Sequence, residues 1–226
     1  PKEVMADVFT RNIETEFWNG YKGQTVVLYD DFGQMKDSAS QPNLEYLEII
    51  KCVNIAPYPL RMAHLPDKGM HFSSKAVFLT SNLANFNINS ITHKDAFYRR
   101  IDFGIHVSVK KEYSITINGT PQVDRSKVPK TEGICTNIYD FKCTHGELAK
   151  LEMAKLGINP NDMTYQDILT MVDILGNRKF QDTQVYLDKI QHSVFVEDST
   201  APNRVEEAPS ETPEATGSDE VSAELH

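Results

Sequence analysis

Cysteine is scarce, at three in 226 residues, and Cys52, Cys135 and Cys143 stand far apart with no CxxC pair among them. That spacing argues against a disulfide framework or a zinc ribbon and fits a reducing compartment. No apolar run approaches the roughly 20 residues that a membrane-crossing helix needs. The opening "PKEVMADVFTRN" has neither an initiator Met nor the apolar centre of a signal peptide, so the chain is expected to be a piece cut from something longer. No internal repeat is visible.

Positive charge is also in short supply, with 23 Lys and Arg against 32 Asp and Glu and a formal charge of −9. The imbalance is local. Glu197 to His226 holds nine acids against Arg204 alone, which leaves about −1 for the rest of the chain. The tail "APNRVEEAPSETPEATGSDE" has too little apolar surface to offset the entropy of ordering, and it is expected to be disordered. Once it is set aside, overall acidity no longer argues against a nucleic-acid partner, and local basic positions can bind phosphate.

The periodicity of the remaining chain mixes helices and strands. Val4, Met5, Val8, Phe9 and Ile13 recur at helical spacing and predict an opening amphipathic helix ending near Trp18. Gln24–Tyr29 reads as a buried strand. A helix is expected from about Pro42, with Leu44, Leu47, Ile50 and Cys52 or Val53 inward, stopped by Pro57 and Pro59. Ala76–Thr80 reads as a second buried strand, and "DFGIHVSVK" as a third with Phe103, Ile105, Val107 and Val109 on one covered face. Asn118–Gly119 predicts a tight hairpin. Thr144 looks like the cap of a helix that turns Leu148, Leu151 and Met153 or Leu156 inward, and a longer helix follows, with a break at Gly176. Such an order suggests part of an α/β sheet covered by helices.

Four segments carry candidate chemistry. In "TVVLYDDFGQ" an apolar strand ends in Asp30 and Asp31, two like charges that a divalent cation would relieve. This is the pattern of a Walker B element, in which one acid holds Mg²⁺ through its water shell and the other polarises the attacking water. It is equally the pattern of an ordinary strand end. Asn82 follows the "AVFLT" strand, where an amide serves as a turn former or as a group that donates and accepts beside a phosphate. Arg99 and Arg100 are a solvated pair or a source of planar charge for a transferring phosphoryl group. Lys68, Gly69, His71 and Lys75 lie in a loop where lysines are either solubilising or in contact with phosphates.

Taken together, "FWNGYKGQTVVLYDDFGQ", "MAHLPDKGMHFSSK", "AVFLTSN" and "HKDAFYRRIDF" resemble, in order and spacing, the Walker B, B′, C and arginine-finger motifs of picornavirus-like superfamily 3 RNA helicases, the ATPases cut from positive-strand RNA virus polyproteins. The likeness covers roughly residues 15–110. It implies an α/β fold, a partial AAA+-type P-loop NTPase core with C-terminal helices and a disordered acidic tail. The implied parts are a core portion over 1–112, a helical extension over 113–195 and a tail over 196–226. It further implies ATP and Mg²⁺ as cofactors, with Asp30, Asp31 and Asn82 at the nucleotide and Asp30 and Asp31 holding the metal largely through water. Arg99 or Arg100 would reach a neighbouring subunit's site. Lys68 and Gly69, and more weakly His71 and Lys75, would touch RNA in a central channel. The implied partners are single-stranded RNA, further copies in a hexameric ring, and other viral replication proteins. The implied location is the host cytoplasm, in replication complexes at host membranes that segments outside this chain would engage.

Two departures qualify the likeness. No GxxxxGK[ST] occurs, and "GYKGQT" leads into the Walker B strand rather than from a strand into a helix, so the phosphate-cradling loop is expected upstream and this piece alone is expected to be inactive. The cysteine-rich zinc element of some enterovirus relatives is absent, which points to an insect- or invertebrate-virus branch. Two other functions remain open: a non-catalytic scaffold of the replication complex, and an origin-binding DNA helicase of the same superfamily.

Overall fold

The computed structural model describes residues 6–130 and 133–198, with side chains described through 192. Residues 1–184 form one unit and 185–226 another. The larger unit starts from three short parallel strands, β1 (Val8–Thr10), β2 (Val26–Tyr29) and β3 (Ala76–Leu79), in the order β1-β2-β3. The expected opening helix is therefore corrected. Val8, Phe9 and Thr10 pair with Val26, Val27 and Leu28, and the ladder is extended by Arg11 N–H to the Leu28 carbonyl at 2.8 Å. Helical spacing was misleading because Phe9 is claimed by tertiary packing: its ring stacks on Trp18 at 5.6 Å and meets Tyr21 edge-on at 5.4 Å. Val4 and Met5 lie outside the described residues.

Helix α1 (Leu44–Cys52) connects β2 to β3 and is capped by the Asn43 side chain, which accepts the Glu45 N–H. Its inward face is Tyr46, Ile49 and Cys52, while Leu44 is 62 % exposed. The expected face is thus rotated. Tyr46 takes the inner position because Phe32 and Phe97 meet it edge-on at 5.5 and 5.3 Å. Trp18, Tyr21, Val27, Tyr29, Phe32, Leu60, Met62 and Ile88 join this core, which ends in the four-residue helix α2 (Asp95–Tyr98).

A second cluster forms around β4 (Gly104–Val109), antiparallel to β7 (Tyr139–His145), a strand that the sequence reading lacks. Between them β5 (Ser114–Ile117) and β6 (Thr120–Val123) form the expected hairpin, with Asn118 and Gly119 at φ 51° and 80°. Thr144 belongs to β7 and is not a cap. The cap position of α3 (Glu147–Leu156) is Gly146, at φ 106°, where an added Cβ would stand 2.2 Å from the Asp102 carbonyl oxygen. Ala149 and Met153 face inward, joined by Phe141, Met163, Met171 and Leu175, whereas Leu151 and Leu156 are exposed. Helix α4 (Tyr165–Asp198) starts at a reciprocal cap between Thr164 and Asp167 and passes Gly176 without a break. Among the described residues no helix is long and apolar enough to cross a membrane. The acidic tail from 199 onward lies outside the described residues.

One buried acid governs how the loop after β2 is held. Asp37, 8 % exposed, accepts the backbone N–H groups of Asn43, Asn89 and Ser90 at 2.7, 2.6 and 2.8 Å. Burial works against its ionised form, but these donors outweigh burial and hold the carboxyl at about 2, below its ordinary 3.8. A depressed native pKa means stability that is present above the ordinary value and is lost as pH falls through the native one. Denaturant midpoints are therefore expected to fall between pH 4 and pH 2 in the native chain, and Asp37→Asn should flatten that part of the profile. An unchanged slope in the variant would remove Asp37 from the account.

Candidate nucleotide site

Because β2 and β3 run parallel and in register, their carboxyl ends bring Asp30 and Thr80 side by side. The Thr80 hydroxyl donates to Asp30 Oδ1 at 2.5 Å and accepts the Asp31 N–H at 3.1 Å. Asn82 Nδ2 donates to Asp31 Oδ1 at 3.1 Å. Asp31 sits at φ 52°, a left-handed conformation that Asp tolerates better than most side chains. Phe32 N–H to the Thr80 carbonyl at 2.7 Å and Ser81 Oγ to the Phe32 carbonyl at 2.8 Å fix the turn. Both acids remain exposed, so one side of the cluster is free to meet a ligand.

The chain leaving the acids is anchored as firmly. Gly33 N–H donates to Glu45 Oε2 at 2.9 Å, and Asn43 Nδ2 donates to the same oxygen at 2.9 Å. Behind the strand, Tyr29 donates to Glu48 Oε1 at 2.8 Å, and Arg11 grips Glu48 through Nε at 2.9 Å and Nη2 at 3.0 Å while lying 4.8 Å over the Trp18 ring. Burial, with the neighbouring Cys52 and Glu48, pushes the Tyr29 phenol well above its ordinary value, and burial with Glu48 pushes Cys52 up to about 12. Neither group is available for proton transfer near neutral pH. Both are structural.

The two arginines separate. Arg100 Nε donates to the Val53 carbonyl at 3.3 Å and Nη1 to the Ala96 carbonyl at 3.2 Å, which ties it to the end of α1. Arg99 is exposed, and among the described residues its side chain bonds only to the Asp95 carbonyl of its own turn, through Nε at 3.3 Å. The loop candidates separate as well. Pro59 and His71 bridge antiparallel, and Leu60 N–H to Met70 O and Phe72 N–H to Tyr58 O, each 2.9 Å, close a hairpin whose tip holds Lys68 and Gly69. Gly69 has φ 92° with open space around it. Lys75 instead sits at the amino end of β3, away from the end that carries Thr80 and Asn82. The structure thus groups Asp30, Asp31 and Asn82 at one strand end, and Lys68, Gly69 and His71 on one hairpin.

Sequence reading missed Thr80, Glu45 and Asp37. A hydroxyl one position past β3 was the only signal for Thr80; Asp37 looks like a solvent-facing charge in a polar loop, and Glu45 like one on the first turn of α1.

The donor set at the acids suits magnesium. Mg²⁺ keeps several waters and takes one or two carboxylates plus substrate phosphate, so a cage of protein ligands is not required. Two exposed carboxylates supply that. Among the described residues no group of three or more His, Cys, Asp and Glu gathers as a fuller metal cage would need.

The RNA helicase family model matches residues 2–83. The replicase polyprotein of Acute bee paralysis virus is 45% identical over 58% of this chain and 7% of its own length. The replicase polyprotein of Drosophila C virus is 42% identical over 60% of the chain and 8% of its own. The RNA1 polyprotein of Broad bean wilt virus 1 is 31% identical over 67% and 9%. The chain therefore spans less than a tenth of the length of these relatives. The stretch that matches the family contains β1, the acids, the hairpin and Asn82, and with these relatives it identifies the chain as carrying a superfamily 3 RNA helicase region of the kind found in picorna-like viral polyproteins.

Proposed function

We propose that this region supplies the hydrolytic acids, the γ-phosphate-sensing amide and an intersubunit arginine to an ATP-driven motor that remodels single-stranded RNA during genome replication. The observation that carries the reading is the bonded cluster Asp30–Thr80–Asp31–Asn82 at the carboxyl ends of parallel strands, where open α/β sheets take their ligands. Magnesium, when bound, would offset charge on the phosphates. Thr80 keeps one Asp30 oxygen occupied and so orients the other toward solvent. Asp31, held by its amide and by Asn82, is placed to take a proton from an attacking water, and Asn82 retains its carbonyl oxygen to accept from that water.

The AAA+-type core is completed on this reading by upstream polyprotein sequence. No GxxxxGK[ST] occurs in the 226 residues, and the outer edge of β3 has no partner strand among the described residues. The strand of the phosphate-cradling loop then pairs along that edge. Residues 1–112 then belong to the ATPase core, 113–195 to an extension and 196–226 to a tail or linker. The hairpin tip, with Lys68 and Gly69, faces RNA in a hexameric ring, which acts beside other replication proteins at host membranes in the cytoplasm.

The test uses a longer polyprotein segment that includes the phosphate-binding loop. Asn82→Ala should lower ATP turnover at least about 10-fold while nucleotide affinity stays within a factor of two or so of the parent. Turnover equal to the parent would overturn the assignment of this cluster to hydrolysis.

A further inference from the structure

Asp37 is an expensive residue for a loop. Its side chain is buried, and among the described residues no lysine or arginine pairs with it. Its charge is met by three backbone groups: Oδ1 takes the Asn43 N–H, and Oδ2 takes both the Asn89 and Ser90 N–H groups. Asn89 returns the contact, its Nδ2 donating to the Asp37 carbonyl at 3.1 Å. A neutral amide could not substitute, because its NH₂ would point at donors. Closing a loop does not require so demanding an arrangement.

The three segments gathered there are the informative part. Asp37 lies six positions beyond Asp31, on the stretch anchored by Gly33 and Glu45. Asn43 caps α1. Asn89 and Ser90 open the stretch that leads into α2 and Arg99. With the residues just before it, that stretch packs as one block: Ile88 is fully buried, Tyr98 donates to the Phe86 carbonyl at 3.4 Å, and Phe86 meets Phe97 edge-on at 5.5 Å. Phe32, the residue after Asp31, stacks on Phe97 at 5.7 Å with planes 3° apart. The acids and the arginine helix thus share one aromatic wall, and Asp37 bolts its polar side.

We propose that Asp37 is a positioning residue for the arginine: it fixes the Asn89–Ser90 segment so that α2 presents Arg99 to a neighbouring subunit while leaving the protomer's own acids intact. The inference rests on the proposed role of Arg99.

The test again uses the longer polypeptide with its phosphate-binding loop, assembled as mixed oligomers. Asp37→Asn alone should lower kcat at least 10-fold with KM for ATP changed less than threefold. Mixed with Asp31→Asn, it should regain activity, since it brings intact acids and its partner brings a well-placed arginine. Asn89→Ala, which removes only the exposed side-chain amide, should fall in the same class with a smaller loss and guards against an Asp37 variant that does not fold. Arg99→Ala mixed with Asp31→Asn is the control. If the control regains activity and neither the Asp37 nor the Asn89 variant does, Asp37 does not act through the arginine. If the control also fails, the arginine reading falls and takes this inference with it.

Discussion

Arg99→Ala should reduce ATP turnover by roughly 10³-fold or more, the scale on which an arginine supplied to a phosphoryl-transfer site acts, while leaving the melting temperature of the assembly nearly unchanged. Arg100→Ala should do the reverse. The two side chains are adjacent in sequence but differ in their bonding, because Arg100 is committed to the Val53 and Ala96 carbonyls and Arg99 is exposed. Planar charge that reaches a neighbour must be unspent at home. The trans character is testable separately: neither Arg99→Ala nor Asp31→Asn should turn over alone, and their mixture should recover part of the parent rate because some interfaces combine an intact acid pair with an intact arginine. Phosphate release at saturating ATP measures both. Recovery with Arg100→Ala in place of Arg99→Ala would reverse the assignment, and no recovery with either would move both arginines to structural or RNA-contacting roles.

The second large effect concerns stability. Arg11→Met should destabilise the larger unit by about 3–5 kcal/mol, because it strands Glu48 among apolar neighbours, and that is a large part of the 5–15 kcal/mol that holds a typical domain. Arg11 is 7 % exposed, grips Glu48 by two bonds and lies over Trp18, so the variant loses packing as well as charge. Replacing the whole polar set, Arg11→Met with Glu48→Leu and Tyr29→Phe, should recover most of the loss, since no buried partner is then left unpaired. Urea unfolding followed by tryptophan fluorescence reports on the site directly, as Trp18 is the chain's sole tryptophan. A loss below about 1 kcal/mol, the worth of a solvent-screened pair, would show that water reaches Glu48.

Much of the strand framework was legible because β2, β3 and β4 are rich in branched and apolar residues whose pattern has no strong helical rival, although the covered face expected for β4 fails at Val107, which is 52 % exposed. The Asn118–Gly119 hairpin was legible because its backbone demands those two residues. What escaped was decided by tertiary contact. Val8–Thr10 became a strand by pairing with β2, Tyr46 took the inner face of α1 through its aromatic neighbours, and Tyr139–His145 became a strand by pairing with β4. At the candidate site, the acids, Asn82 and the arginines could be named from motif order. Which arginine is free, and that Thr80 links the two acids, depends on side-chain geometry that no spacing rule encodes. Asp37 and Glu45 were invisible for the same reason, because an acid in a polar loop or on the first turn of a helix gives no hint of burial.

The open edge of β3 bears on the order in which the polypeptide is made. Ala76–Leu79, with Phe78 45 % exposed, have no partner on this edge among the described residues and present backbone groups of the kind that template aggregation. If the pairing strand lies upstream, as proposed, it has already left the ribosome when β3 emerges, and the edge can be covered within the time of a few dozen peptide bonds. A ribosome starting inside this region would release the edge bare. Translation direction would then act as the chaperone of this sheet.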